Sequence, residues 1–562
     1  MTWACTVRMA LAVPLLAAAS CGPAQVGKLR FANQPPVRVV HDRRDVPRQP
    51  EERTYPKSFY FADRSFFKLI THRLAVPEPR RAANINAMEE VPDSTWFVNR
   101  LGMHDLSPQD VARGPGALGG PDLSSPWQVV GGKTGGTALG LIVKDARGQK
   151  YLVKFDERAP VVETAADVVA QRILWAAGYL VPEDSIAYIR RAQLVVAPGA
   201  KHKVGGKKRL MTTADLDEIL SKVQWNQDGT VRALASRLLD GVPIGGFSNE
   251  GVREDDPNDV IPHEHRREIR GLYAFFSWVD QVDVKEDNTL DMWTADAENP
   301  RVHYVMHYLV DFGKSLGAMA RLNYRPDAGH TYAVDFKYIF KSTPTLGLWQ
   351  RPWEGTTRPD LRGVGVFDAD HFDPDAWKGV TSYAPFLARD DHDMFWAAKI
   401  IMRFTPEHIR AAVEQGRYDD PAAAAYVERT LIARQRKIGR YWMGRVNPLD
   451  RFAVSQTGTG YSLCFSDLLL AHGLQDVSTG RTVYRAAAFD GGGRPLGWKQ
   501  RVAPDAAGRG CVRGFRAGRG ADSYTIVVLT TQRGGNTLAP VEVHMARDAQ
   551  TGSLRVVGLN RR

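Results

Sequence analysis

The sequence has few cysteines, four among 562 residues. Cys5 falls in the leader and Cys21 at its end, which leaves Cys464 and Cys511 near the C-terminus. In an oxidising compartment those two either pair or stay as separate buried thiols, and spacing alone leaves both open. Long apolar runs are also missing. The run over 9–19 has eleven residues, against the roughly 20 that a spanning helix needs, and no later segment is apolar enough. No internal repeat or heptad is present, which excludes solenoids and coiled coils. His303, His307 and His330 lack zinc-ligand spacing. The Asp/His-rich stretches FDADHFDPD (367–375) and ARDDHDMF (388–395) lack the glycine and closing glutamate of a calcium loop. Aspartates just before helical runs read as N-caps. Net charge is +11, with basic blocks at IRRAQ and AKHKVGGKKR (200–209). No aromatic interleaving accompanies them, so they read as solvated surface rather than as a nucleic-acid face.

What is present begins with MTWACTVRMALAVPLLAAASCG. A short apolar core followed by small residues reads as a signal peptide. The Ala-Ala-Ser-Cys ending resembles a bacterial lipoprotein signal, which implies that Cys21 carries lipid. A Pro- and Arg-rich stretch without periodicity follows and reads as a tether. Ser107 before Pro108 and Asp110 starts a helix. Residues 210–240 and 262–280 have a helical pattern, as do 390–445, where Thr405-Pro406 starts one helix and Gly416 stops it. The tryptophans of LWQRPW (348–353) read as a packing corner. After Asn447 short β runs alternate with Gly-rich turns, which predicts an all-β, sandwich-like region.

The stretch VVGGKTGGTALGLIVKDARGQKYLVKFD (129–156) carries the chemistry. Gly132-Lys133-Thr134 looks like a phosphate loop, but a Walker loop needs a glycine where Trp127 stands and must open into a helix. Here strands follow: 127–130, 139–146 and 150–155, then a helix with Ala166, Val169, Ala170, Ile173, Leu174 and Ala177 on one face, ended by Gly178. A glycine turn between antiparallel strands, a lysine on the next strand (Lys154) and a glutamate at the start of the next helix (Glu163) form the protein-kinase pattern. Downstream, DVKEDN (283–288) supplies D-x-K-x-x-N after an apolar helix, and Asp311-Phe312-Gly313 follows an apolar strand.

The chain therefore resembles the protein-kinase-like superfamily, more loosely its atypical secreted or bacterial members, over about 127–443. The resemblance implies an α+β, two-lobed fold. Its expected organisation is a signal peptide (1–20), a tether (21–58), an N-terminal extension (59–125), an N-lobe (126–200), a C-lobe (201–446) and a β domain (447–562). It implies that Gly131, Gly132, Lys133, Gly135 and Gly136 cover the phosphates of ATP or another nucleotide. Lys154 would hold the α/β-phosphates and pair with Glu163. Asp283 would take or orient the acceptor's proton, Lys285 would steady the γ-phosphate, and Asn288 and Asp311 would bind Mg²⁺. The pattern departs from the family in its glycine spacing and in Gln281-Val282 where His-Arg is usual. The 23-residue separation of Asn288 from Asp311 is also longer than usual, and no A-P-E follows. The expected function is an exported, lipid-anchored phosphotransferase of the periplasm or outer membrane, acting on an unknown acceptor. The alternative is a catalytically inactive kinase-like envelope lipoprotein that serves as a binding module.

Overall fold

A computed structural model describes residues 26–562 except 56, 69, 72–79, 117–118, 134–138, 157–158, 205–206, 323–324, 352 and 476–481. The expected signal peptide (1–20), Cys21, Gly135 and Gly136 lie outside the described residues.

The fold is mixed α+β with one large mixed sheet and several antiparallel ones. The large sheet holds β1 (Trp127–Gly132), β2 (Gly140–Lys144), β3 (Lys150–Phe155), β4 (Asp184–Arg190), β5 (Leu194–Val204), β6 (Lys207–Leu210) and β7 (Thr230–Arg237). Its order is β4-β7-β3-β2-β1-β5-β6. Alternating Trp127 and Val129, Leu141 and Val143, and Tyr151 and Val153 bury one face of the β1–β3 meander. The meander does not end at β1, because β5 pairs with it in parallel. Gly131 and Gly132 are the reason that approach works. A Cβ at 132 would lie 2.8 Å from His202 Cβ.

Between β3 and β4 runs α1 (Val162–Ala177), nearly all of it buried. It stops where expected. Gly178 has φ +139°, and a Cβ there would fall 2.3 Å from the Phe97 ring. The helical expectation for 210–240 holds only for α2 (Thr213–Leu220), capped by Thr212. The rest contains β7, which lies between β3 and β4. That central position buries both its faces, so its apolar residues do not alternate, and its Ala/Leu content misleads.

Next comes α3 (Arg267–Val279), all 13 residues buried. A small antiparallel sheet follows in order β10-β9-β8, from β8 (Val242–Pro243), β9 (Thr289–Ala295) and β10 (His303–Leu309). The helices α4 (Asp391–Ile401), α5 (Pro406–Gln415) and α6 (Pro421–Arg445) share one apolar core with α1 and α3. The caps at Ser107 and Thr405 form as the sequence indicates. Asp390 caps α4, and Asp393 is buried 3.0 Å from Arg267 and 3.1 Å from Arg270.

The strands after Asn447 form two antiparallel sheets. One is β11 (Leu449–Thr457), β12 (Gly460–Asp467) and β15 (Arg509–Phe515). The other orders β13 (Val483–Asp490), β14 (Pro495–Val502), β16 (Thr525–Arg533), β18 (Val541–Arg547) and β19 (Leu554–Arg561) as β14-β13-β16-β18-β19, with β17 (Asn536–Thr537) beside β16. Phe465 and Val512 of the first meet Tyr484, Leu529 and Val543 of the second in one core. Cys464 and Cys511 stand opposite each other on β12 and β15 and form a disulfide.

The tether expected over 21–58 needs correction. From residue 26 on, the chain is a strap fastened by scattered hydrogen bonds to distant parts of the fold. Phe31 N–H donates to Tyr524 Oη (2.8 Å), and Val40 N–H to the Asp93 carbonyl (2.8 Å). Asp42 accepts from Thr95 N–H (2.8 Å), and Arg53 N–H donates to the Ile244 carbonyl (3.1 Å). Such bonds are not a ladder, so they need no periodicity and leave none in the sequence.

Candidate functional site

Lys154 lies on β3, between β2 and β7. Its side chain is 14% exposed. Nζ lies 2.9 Å from Asp311 Oδ1 and 3.7 Å from Asp167 Oδ2. Burial works to lower its pKa, but the two carboxylates outweigh it and hold the ammonium above the usual lysine range.

The expected pairing of Lys154 with Glu163 is not formed. Glu163 pairs with Lys314, and Asp167 takes the place by Lys154. The two acids are four residues apart and share one face of α1. Which of them reaches Lys154 depends on how deeply α1 sits against the sheet. Asp167 is buried beside Asp184 of β4, also buried. Burial pushes the Asp167 carboxyl well up, Lys154 opposes this, and the neighbouring Asp184 adds to it. Asp184 is displaced upward too, again chiefly by burial. Both carboxyls are therefore easier to protonate than exposed ones.

The start of α1 is held by a residue that pattern reading missed. Val161 precedes the helix at φ +74°, a conformation that a β-branched residue resists. Asp156, buried at the end of β3, accepts from Val161 N–H (2.9 Å), Thr164 N–H (3.1 Å) and Thr164 Oγ1 (2.7 Å). An Asp just before a helical run was the available signal.

The second half of the site begins where Asp280 ends α3 at φ +54°. The next residues alternate, Val282 and Val284 buried, Asp283 and Lys285 partly exposed. Lys285 Nζ donates to Asp283 Oδ2 (2.8 Å). Asn288 Nδ2 donates to the Asp283 carbonyl (2.7 Å) and to Oδ2 (3.2 Å), which leaves Asn288 Oδ1 as the remaining acceptor of that side chain. The long sequence separation of Asn288 and Asp311 is folded away by the β9–β10 hairpin. Thr289 pairs with Leu309, and Val310 N–H donates to the Asn288 carbonyl (3.0 Å).

Asp311 is 47% exposed at φ +64°, and Phe312 is buried in the main core. Gln281 ties the two segments together. Its Nε2 donates to the Asp311 carbonyl (2.9 Å), and its Oε1 accepts from Ser315 Oγ (3.2 Å). A small cavity at this junction is lined by Phe276, Gln281, Asp283, Asn288, Leu309 and Phe312. Crowding works to raise the Asp311 carboxyl, but Lys154, Lys133 and Lys285 outweigh it and hold it below the usual carboxylate range. Three lysines from three segments therefore converge electrostatically on one carboxylate.

The glycines divide into two groups. Gly131 and Gly132 lie within β1, not in a turn, and their small size serves the approach of β5. Lys133 N–H donates to the Gly140 carbonyl (3.0 Å), and Gly135 and Gly136 fall outside the described residues. The structure thus brings Lys133, Lys154, Asp283, Lys285, Asn288 and Asp311 together, adds Asp167, Asp184 and Gln281, and pairs Glu163 with Lys314 instead.

No family model matches the chain, and no curated protein matches it. Among solved structures, it is similar to Rio2 kinase from Chaetomium thermophilum in an ADP/Mg²⁺-phosphoaspartate complex. The identity is 14%, over 54% of this chain and 70% of that one, with a TM-score of 0.20.

Proposed function

We propose that the chain is a kinase-like phosphotransferase of the cell envelope. The observation that carries this reading is the meeting of Lys154, Asp311, Asn288, Asp283 and Lys285 around one junction, from β3, the segment after β10 and the loop after α3. The donor set fits Mg²⁺, a hard cation that takes one or two carboxylates and completes its shell with phosphate oxygens and water. The oxygen donors are the half-exposed Asp311 carboxylate and Asn288 Oδ1, the acceptor left after Nδ2 is spent on Asp283. When bound, the cation would supply charge neutralisation to phosphate oxygens.

The residues of the chain do the rest. Lys154 offers a positive charge to the phosphates, held in place by Asp167. Asp283 Oδ2 is occupied by Lys285 and Asn288, so Oδ1 is the atom that accepts the proton of an acceptor hydroxyl. Lys285 is placed to meet the transferred phosphoryl group. Gln281 fixes Asp311 relative to the loop. Export and a lipid on Cys21 belong to the same proposal and rest on the leader sequence. No helix among the described residues is long and apolar enough to cross a membrane.

One observation favours the second reading, a binding module without catalysis. Lys154 and Asp311, the groups that would meet phosphate and metal, neutralise each other directly at 2.9 Å. Thermal unfolding with Mg-ATP and Mg-ADP, on the wild type and on Asp311→Ala, separates the readings. A nucleotide-dependent rise in Tm that Asp311→Ala abolishes supports the site. No shift with any Mg-nucleotide leaves the binding-module reading.

A further inference from the structure

We infer that one face of the molecule, beside the loop carrying Asp283, docks on an anionic lipid surface. Two segments form it. The helix Lys57–Ala62 continues into the turn Asp63–Phe67 and leaves Phe59, Phe66 and Phe67 exposed. The second is the helix Phe336–Ser342 with the residues after it. There Phe340 is 72% exposed, Leu346 91% and Leu348 88%. The segments adjoin, because the Phe66 and Phe336 rings meet edge to face at 6.3 Å. Soluble monomers seldom leave a contiguous apolar patch of this kind without a partner for it.

Charge decides the occupant. From Phe336 to Trp349 the sequence FKYIFKSTPTLGLW has two lysines and no acid, whereas Lys68 on the neighbouring segment is paired with Glu250 (2.6 Å). Lys341 Nζ sits 5.2 Å over the Trp349 ring, which stacks on Tyr338 at 5.5 Å. Phe, Leu and Trp mixed with lysine is the chemistry of the bilayer interface, where rings and alkyl groups enter the headgroup boundary and ammonium groups meet anionic lipid. A second copy of the chain would set lysines against lysines, on a protein of net charge +11.

The first of these segments is fastened beside the candidate site. Arg64 NH2 lies 3.2 Å from Glu286 Oε1, in the loop that carries Asp283 and Asn288. Ser382 Oγ donates to the Arg64 carbonyl (2.7 Å). A cleft held against a bilayer in this way would meet acceptors borne by the membrane. The inference does not depend on phosphoryl transfer.

The test uses the full chain carrying Cys21→Ser, so that no lipid on Cys21 contributes. It is co-sedimented with vesicles of phosphatidylcholine alone and of phosphatidylcholine mixed with phosphatidylglycerol. The wild-type face is expected to bind the anionic vesicles and to bind the neutral ones far less. Leu346→Ser with Leu348→Ser, and separately Lys337→Glu with Lys341→Glu, should each weaken that binding about tenfold or more. All four positions are solvent-facing substitutions, and the charge pair carries the test if the serine pair unfolds. Equal sedimentation of wild type and both variants would overturn the inference and assign any binding to the apolar run over 9–19. Equal binding to neutral and anionic vesicles would overturn the lipid chemistry. A wild-type dimer that the serine pair turns into monomers, seen by analytical ultracentrifugation, would give the face to a second copy.

Discussion

Replacing Lys154 with methionine tests the centre of the site, because it separates holding the fold together from holding a ligand. Methionine keeps the volume of the side chain and removes its charge. The ammonium faces Asp311 at 2.9 Å and Asp167 at 3.7 Å. Asp311 is half exposed, so water replaces most of its share, worth about 1 kcal/mol or less. Asp167 is buried beside Asp184 and has no such recourse. Removing one member of a buried pair costs roughly 3–5 kcal/mol, and uptake of a proton by the carboxyl pair returns part of it. The expected net cost is about 3 kcal/mol at neutral pH. It should shrink as pH falls, because protonation removes the uncompensated charge. Asp167→Asn added to Lys154→Met removes that charge by mutation and should recover stability. The coupling between the two sites is expected at about 1–3 kcal/mol. Native-state hydrogen exchange of the β3 and α1 amides reads this locally, whether or not the whole chain unfolds in one step. Costs of the two single variants that add within about 0.5 kcal/mol would refute the reasoning, since the 3.7 Å contact would then carry no energy.

Glu163→Gln should cost less than about 1 kcal/mol and leave the Mg-nucleotide shift in Tm unchanged, because its pair with Lys314 is partly solvated. Asp167→Asn should remove most of that shift, and the opposite ranking would restore Glu163 as the partner of Lys154. Gln281→Ala leaves the Asp311 carbonyl without its donor, a cost of about 1–3 kcal/mol, and should weaken Mg-ADP binding in calorimetry. Unchanged binding there would show that Asp311 is held by other contacts. Glu89, buried 3.0 Å from Arg561, gives a pH signature. Burial works to raise its carboxyl, but Arg561 and Arg267 outweigh it and lower the pKa from 4.5 to about 2. A depressed folded pKa contributes stability that is present above 4.5 and lost as pH falls through about 2, here about 3 kcal/mol. Arg561→Met should shrink that acid-dependent loss in urea titrations, with Arg267 left to oppose burial, and an unchanged slope would refute it.

Much of the fold was legible along the chain because it depends on neighbours a few residues apart. Alternation in β1 to β3, the apolar face of α1, the stop at Gly178 and the caps at Ser107 and Thr405 are all local. So is the pattern that picked out Lys154, Asp283, Lys285, Asn288 and Asp311. Other features depended on distances that no local pattern records. The sequence pattern offered only Glu163 as the partner of Lys154, and the packing of α1 against the sheet put Asp167 there instead. The two glycines of β1 looked like a phosphate turn, and the parallel approach of β5 gave them another reason. Central placement made a strand of β7 despite its Ala and Leu. The strap after residue 26 draws its order from partners as far away as Tyr524, so its composition read as a tether. The sequence by itself determined which charges and which local elements are present. Only the tertiary structure decided which charges are buried together, because burial is set by packing between segments that are remote in the chain.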